Sequence, residues 1–100
     1  MKRRVVEISD EARNDLIRLY DRIAEAASPA TALSYVEGIE NYVLGFDIAS
    51  ERGVLRDDIR PGLRVVGYKH RASIAFIVED ERVIILRIFH GGQNWTEQFR

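Results

Sequence analysis

The chain contains no cysteine, which excludes a disulfide framework, thiolate catalysis and a cysteine-ligated metal. It has two histidines, His70 and His90, twenty positions apart and with no H-x-x-x-H spacing, so no zinc set is expected and no cofactor is implied. It lacks any apolar run near the ~18 residues that a membrane span requires. Met1-Lys2-Arg3-Arg4 carries the charge of a signal-peptide start, but only Val5-Val6 follow before Glu7. The expectation is a cytoplasmic protein with no membrane partner. A net charge of -1 supplies no bulk electrostatic footprint for nucleic acid. Gly91-Gly92 follows an apolar run without opening a helix that carries Lys-Ser/Thr, so it is not a phosphate loop. No Ser/His/Asp order supports nucleophilic catalysis. Only Pro29 and Pro61 interrupt the chain.

What is present suits one soluble domain spanning residues 1–100, with 46% apolar and 31% charged residues. A chain of this length buries roughly 65% of its unfolded surface, enough for one core. Its charge is unevenly placed. Residues 1–50 carry six Lys+Arg against nine Asp+Glu, and residues 51–100 carry nine against seven. The sharpest basic stretch is 60–71, where Arg60, Arg64, Lys69 and Arg71 stand without an acid.

Val83 to Phe89 is an apolar, β-branched run interrupted by one charge, Arg87, and it ends abruptly in His90-Gly91-Gly92-Gln93-Asn94. That pattern predicts a strand buried on both faces, which delivers Arg87 and His90 to one end of a sheet. Ahead of it, Arg4 to Ile8 reads as a short strand. Ser9 is an N-cap followed by acids, and Ala12, Leu16, Leu19, Tyr20, Ile23 and Ala27 mark the apolar face of a helix of about 18 residues. Asp15 and Arg22 fall on its polar face. Ser28-Pro29 caps a second helix with the stripe Ala32, Leu33, Val36, Ile39, Val43 and Phe46. So short a link predicts an antiparallel helical hairpin. Gly38 and Gly45 weaken the second helix, and close packing against the first helix is the simplest cause. Glu51 to Gly62 reads as a charged loop. Leu63 to Tyr68, Ala72 to Val78 and Val83 to Phe89 read as an antiparallel meander. The predicted fold is α+β, β-α-α-β-β-β, with the hairpin packed on a mainly antiparallel four-stranded sheet. The first strand joins an edge that the sequence leaves open.

The element order, the Ser28-Pro29-Ala30 link, the loop Arg56-Asp57-Asp58-Ile59-Arg60-Pro61-Gly62-Leu63-Arg64 and the ending Ile84-Ile85-Leu86-Arg87-Ile88-Phe89-His90-Gly91 together resemble the ParE/RelE superfamily. These are bacterial toxins of type II toxin–antitoxin modules. The loop and the ending look more like the ParE branch. The resemblance implies a toxin that inhibits DNA gyrase by binding and forms a hetero-oligomer with a cognate ParD-like antitoxin whose C-terminal segment wraps it. One alternative it implies is a RelE-like endonuclease acting on mRNA at the ribosome. Another is a toxin fold that serves only as a binding module.

Candidate residues follow from both sources. Arg87 either pairs with an acid near the strand end or, by resemblance, meets a phosphate, for which a planar permanent cation is suited. His90 is either a loop residue bonded to backbone or a general acid. His70 is expected at the surface. Under the nuclease alternative, Arg64, Arg71, Arg87 and His90 form the catalytic set. A tyrosine that the RelE pattern carries near the C-terminus has no counterpart, since Trp95 and Phe99 stand there. Under the gyrase reading no residue is catalytic, and Arg60, Arg64, Arg87, His90, Trp95 and Phe99 are the target contacts. The resemblance also ties the C-terminal region to toxicity. Arg60 and Arg64 could equally touch the antitoxin or tie the loop to the acidic helices. Tyr20, Tyr35 and Tyr42 exceed what the helix stripes need and are the antitoxin-binding candidates, because a two-helix layer accepts a third amphipathic helix in its groove.

Overall fold

Two serine caps begin the helical half of the computed structural model, which describes residues 2–69 and 71–91. β1 (Val5–Ile8) leads into α1 (Asp10–Ala26), whose start is fixed by Ser9 Oγ accepting from the Ala12 amide at 3.1 Å. α2 (Pro29–Leu44) begins the same way, with Ser28 Oγ accepting from the Thr31 amide at 3.1 Å. A 3-10 turn over Gly45–Asp47 ends it. β2 (Val54–Leu55), β3 (Leu63–Tyr68), β4 (Ala72–Val78) and β5 (Arg82–His90) complete the order.

The sheet has five strands in the order β1-β5-β4-β3-β2, one more than expected. The addition is β2, two residues of the charged loop that pair antiparallel with β3, Val54 with Val65 and Leu55 with Arg64. So short a strand carries no period of its own, and its pairing partner creates it. Gly53 makes the approach possible. Its φ is +72°, and a Cβ there would collide with the Val65 carbonyl oxygen. β1 joins the other edge, parallel to β5.

β5 is covered on both sides. One face carries the main core, built from Leu16, Leu19, Ile39, Val43, Phe46, Ile74, Phe76 and Ile85 under the helices. The opposite face carries a smaller cluster of Leu63, Ala75 and Phe89, with Ile59 from the loop laid against it. Gly38 has a cause different from the expected one. It meets the sheet rather than α1, since a methyl there would sit 2.5 Å from Tyr68 Oη.

The register of β5 breaks once. Ala75 pairs with Arg87 but Phe76 pairs with Ile85, so Leu86 is an extra residue in a β-bulge. Strict alternation from Ile85 would aim Arg87 into the helical core. The bulge resets the alternation, so Ile88 enters that core and Arg87 does not.

Candidate functional site

The bulge brings Arg87 to a carboxylate. β1 pairs with β5 only as far as Ile85, so the rest of that edge is open. α1 takes it over. Ser9 Oγ donates to the Leu86 carbonyl at 2.9 Å, and the Ile88 amide donates to Asp15 Oδ2 at 2.9 Å. Arg87 closes a two-point fork on the same carboxylate, Nε to Oδ2 at 2.8 Å and one Nη to Oδ1 at 3.0 Å. Arg18 adds a further bond to Oδ1 at 2.7 Å. The hydrogen bond to Asp15 raises the Arg87 pKa above the usual arginine value, against the opposing effect of burial. Asp15 is only 7% exposed, which corrects its assignment to the polar face of α1. The carboxylate tolerates burial because four N–H donors meet it there, three of them from the two guanidinium groups of Arg87 and Arg18. Of the two expected roles for Arg87, pairing with an acid is the one this geometry displays.

The remaining cations divide between the two ends of the sheet. Arg64, half-buried near the start of β3, donates to the Arg52 carbonyl at 3.3 Å and so ties β3 to the start of the loop rather than the loop to the helices. Arg60 is exposed. Its neighbours are occupied in shaping the loop. Arg56 forms a fork on Asp58 at 3.0 and 2.9 Å, and Asp57 Oδ1 accepts from the Gly62 amide at 2.7 Å. Arg71 lies at the opposite end, roughly 13 Å or more from Arg64 along the strand direction at about 3.3 Å per residue. His90 is its neighbour there, since Ala72 pairs with His90 and the Gly91 amide donates to the Arg71 carbonyl. The four residues of the nuclease alternative therefore do not converge. Arg71 and His90 come together, Arg87 is held by Asp15, and Arg64 is remote. His70, Trp95 and Phe99 lie outside the described residues.

Arg71 and His90 border a cleft of about 300 Å³, into which α1 also presents Arg22 and α2 presents Tyr35. Arg22 and Tyr35 were not expected in such a place. Their only sequence signal is position, one near the end of α1 and the other near the start of α2, which a hairpin must bring together. The Tyr35 hydroxyl is buried with no hydrogen-bond partner among the described residues. Burial and the neighbouring Tyr68 push its pKa above the usual tyrosine value, and Arg71 opposes this.

The three tyrosines proposed for antitoxin contact also divide. Tyr35 and Tyr42 face inward, with ring centroids 5.7 and 5.1 Å from that of Tyr68. Tyr20 lines a largely apolar groove of about 360 Å³ between the helices with Leu16, Ile17 and Val36, flanked by Arg13 and Glu40. Ile17 is 60% exposed there. No helix among the described residues is long and apolar enough to cross a membrane.

Comparison with known proteins gives this geometry a family. No curated protein matches the chain. A structure described as the chromosomal ParDE toxin–antitoxin system from P. aeruginosa superposes with a TM-score of 0.76 at 26% identity, over 87% of this chain and 95% of that one. The toxin–antitoxin complex RelBE2 from Mycobacterium tuberculosis shares the fold, with a TM-score of 0.64 at 20% identity over 93% and 97% of the two chains. The family described as the ParE toxin of the type II toxin–antitoxin system, parDE, matches residues 6–95. The chain therefore belongs to the ParE toxin family of type II toxin–antitoxin systems.

Proposed function

We propose that this ParE-family toxin acts by binding DNA gyrase rather than by cleaving RNA, and that a ParD-like antitoxin neutralises it. The observation that carries this reading is the Asp15–Arg87 pair. The arginine that a RelE-like nuclease would place on the scissile phosphate already holds a carboxylate through two hydrogen bonds. Withdrawing it for a substrate would leave a buried anion short of its partners, which is costly. Arg64 is too far from Arg71 and His90 to complete a cationic cage, so the charge needed to stabilise a cleavage transition state is not assembled. A binding toxin needs no such convergence.

Exposed Arg60 and the Trp95–Phe99 segment are the proposed target contacts, and the groove at Ile17 and Tyr20 is the proposed antitoxin contact. An amphipathic antitoxin helix would bury Ile17 there, with Arg13 and Glu40 at the rim.

The test is a supercoiling assay with antitoxin-free protein, gyrase, relaxed plasmid and ATP. Loss of supercoiling with accumulation of linear DNA is expected. No effect from protein shown to be folded would reject the proposal and direct attention to mRNA cleavage on translating ribosomes.

A further inference from the structure

Arg52 is half-buried, and its side-chain hydrogen bonds run to main-chain carbonyls rather than to an acid. Nε donates to the Ala49 carbonyl at 3.0 Å, and one Nη donates to the carbonyls of Ile48 at 2.7 Å and Gly45 at 3.2 Å. The guanidinium also lies over the Phe46 ring, 4.6 Å from its centroid. Beside it, the Ser50 hydroxyl donates to the Phe46 carbonyl at 2.6 Å, and Ala49 is held at a φ of +48°, a region that residues with a Cβ rarely adopt. A planar cation with a rigid set of donors is suited to gathering several carbonyls from one turn. The stretch 45–50 thus closes around Arg52 immediately before the chain enters β2.

What this cradle holds is not core. Val54 and Leu55, the two residues of β2, are 64% and 46% exposed. A strand so short makes too few ladder bonds to keep its own place. Arg64 supports it from β3 by donating to the Arg52 carbonyl, and the Arg56 amide donates to the Leu63 carbonyl at 2.7 Å just beyond it. An exposed apolar edge strand invites aggregation, so one that is fixed from two sides calls for a use. The far end of the same loop is anchored separately, by Ile59 against Leu63, Ala75 and Phe89. Between the two anchors the loop presents Val54, Leu55 and Arg60 to solvent.

We propose that Arg52 is a positioning residue of the toxin's target surface. It fixes the near end of the loop 53–62, so that Leu55 and Arg60 meet the target together, and it touches no target itself. A loop already held in its binding shape loses less conformational freedom on association, so the cradle raises affinity without adding a contact. The inference rests on reading Arg60 as a target contact, and it holds whether that target is gyrase or another macromolecule.

The test compares Arg52→Met, Arg52→Lys and Arg60→Gln, with Arg3→Met as the control. Arg3 is a second arginine at this turn, exposed and 3.6 Å from Asp47. Each full-length chain is induced in growing cells, and each purified chain is followed by amide hydrogen exchange and in the supercoiling assay. Arg52→Met should raise the inducer dose that halves growth about tenfold, and Arg3→Met should leave it unchanged. In Arg52→Met the Arg56 amide should exchange at least roughly tenfold faster, while amides of α1 and of the β4–β5 ladder exchange as in the wild type. Arg52→Lys keeps the charge but not the fork and should fall between the two. Arg60→Gln should weaken growth inhibition in the wild-type background and add little in Arg52→Met, because both act through one surface. Should Arg52→Met exchange fast throughout, Arg52→Lys carries the same comparison. Additive losses for Arg52 and Arg60 would overturn the inference, as would wild-type growth inhibition by Arg52→Met or Arg60→Gln, or fast exchange throughout the chain in both Arg52 variants. An Arg3→Met loss as large as that of Arg52→Met would do the same. The expected pattern in cells, from a wild type that leaves supercoiling intact, would reject gyrase as the target and keep the positioning role.

Discussion

Individual side chains in this toxin carry unequal weight, and Asp15 carries the most. It accepts from Arg87, Arg18 and the Ile88 amide, so removing it strips bonds from an edge amide and from a guanidinium whose side chain is only 19% exposed. Asp15→Ala should cost about 3 kcal/mol. Arg87→Ala should cost less, about 1–2 kcal/mol, because Asp15 keeps Arg18 and the Ile88 amide. Urea unfolding midpoints measure both, and losses under about 0.5 kcal/mol for Asp15→Ala would contradict the network. Tyr35 gives a second, opposite expectation. Its hydroxyl is buried and unmatched among the described residues, so Tyr35→Phe should raise stability by up to about 1 kcal/mol. Its folded-state pKa lies above the usual value near 10, chiefly through burial. The fold therefore favours the protonated phenol. That contribution is fully present below pH ~10 and is lost as pH rises through the folded-state pKa. The gap between Tyr35→Phe and the wild type should widen in unfolding curves collected from pH 9 to 11. A gap that stays constant or shrinks would contradict the burial argument.

At the scale of elements, α2 contains two glycines with contrary consequences. Gly38 faces Tyr68, whose oxygen would lie 2.5 Å from an added methyl. Alanine gains about 1 kcal/mol in helix propensity there but overpacks a contact lined by Tyr35 and Tyr42. A net loss of about 1–2 kcal/mol is expected. In a Tyr68→Phe background the nearest remaining ring atom is 3.6 Å away, an ordinary contact, and Gly38→Ala should become neutral or stabilising. Gly45 has nothing within 4 Å and a helical φ of -71°, so Gly45→Ala should stabilise by about 0.5–1 kcal/mol. Thermal melts of the four variants decide the matter. Equal effects at Gly38 and Gly45 would mean that propensity alone governs α2.

On the scale of the whole molecule, the proposed partner and target surfaces lie on different elements. The groove at Ile17 and Tyr20 is formed by α1 and α2, while Arg60 lies in the loop before β3. Ile17→Glu should weaken antitoxin binding at least tenfold by placing a charge in the groove, while the proposed inhibition of gyrase is expected to persist. Deleting residues 93–100 should do the reverse. Titration calorimetry against the antitoxin, paired with the supercoiling assay, reads both. An antitoxin affinity unchanged by Ile17→Glu would move the interface elsewhere.

Much of this fold was legible locally. Ser9 and Ser28 announce the helix starts because a side-chain oxygen must satisfy the first free amides. The unbroken apolar run at Val83–Phe89 announces a central strand because both its faces need cover. Short links between Leu63 and Phe89 leave an antiparallel meander as the simple connection. The loop 56–64 and the Leu86-Arg87-Ile88-Phe89-His90-Gly91 ending carry the family resemblance. Periodicity, however, says which face a residue occupies and not what that face meets. Asp15 sits at the edge of the α1 stripe and reads as polar surface. Its burial depends on Arg87 and Ile88, 72 and 73 positions away, and on β1 ending early enough to leave their edge open. β2 exists only because β3 offers it an edge. The gathering of Arg22, Tyr35, Arg71 and His90 around one cleft likewise follows from four elements terminating at the same end of the molecule. Composition and pattern determined the helices, the longer strands and the family of this toxin. Which charges are spent within the fold, and on which partners, was decided by long-range packing alone.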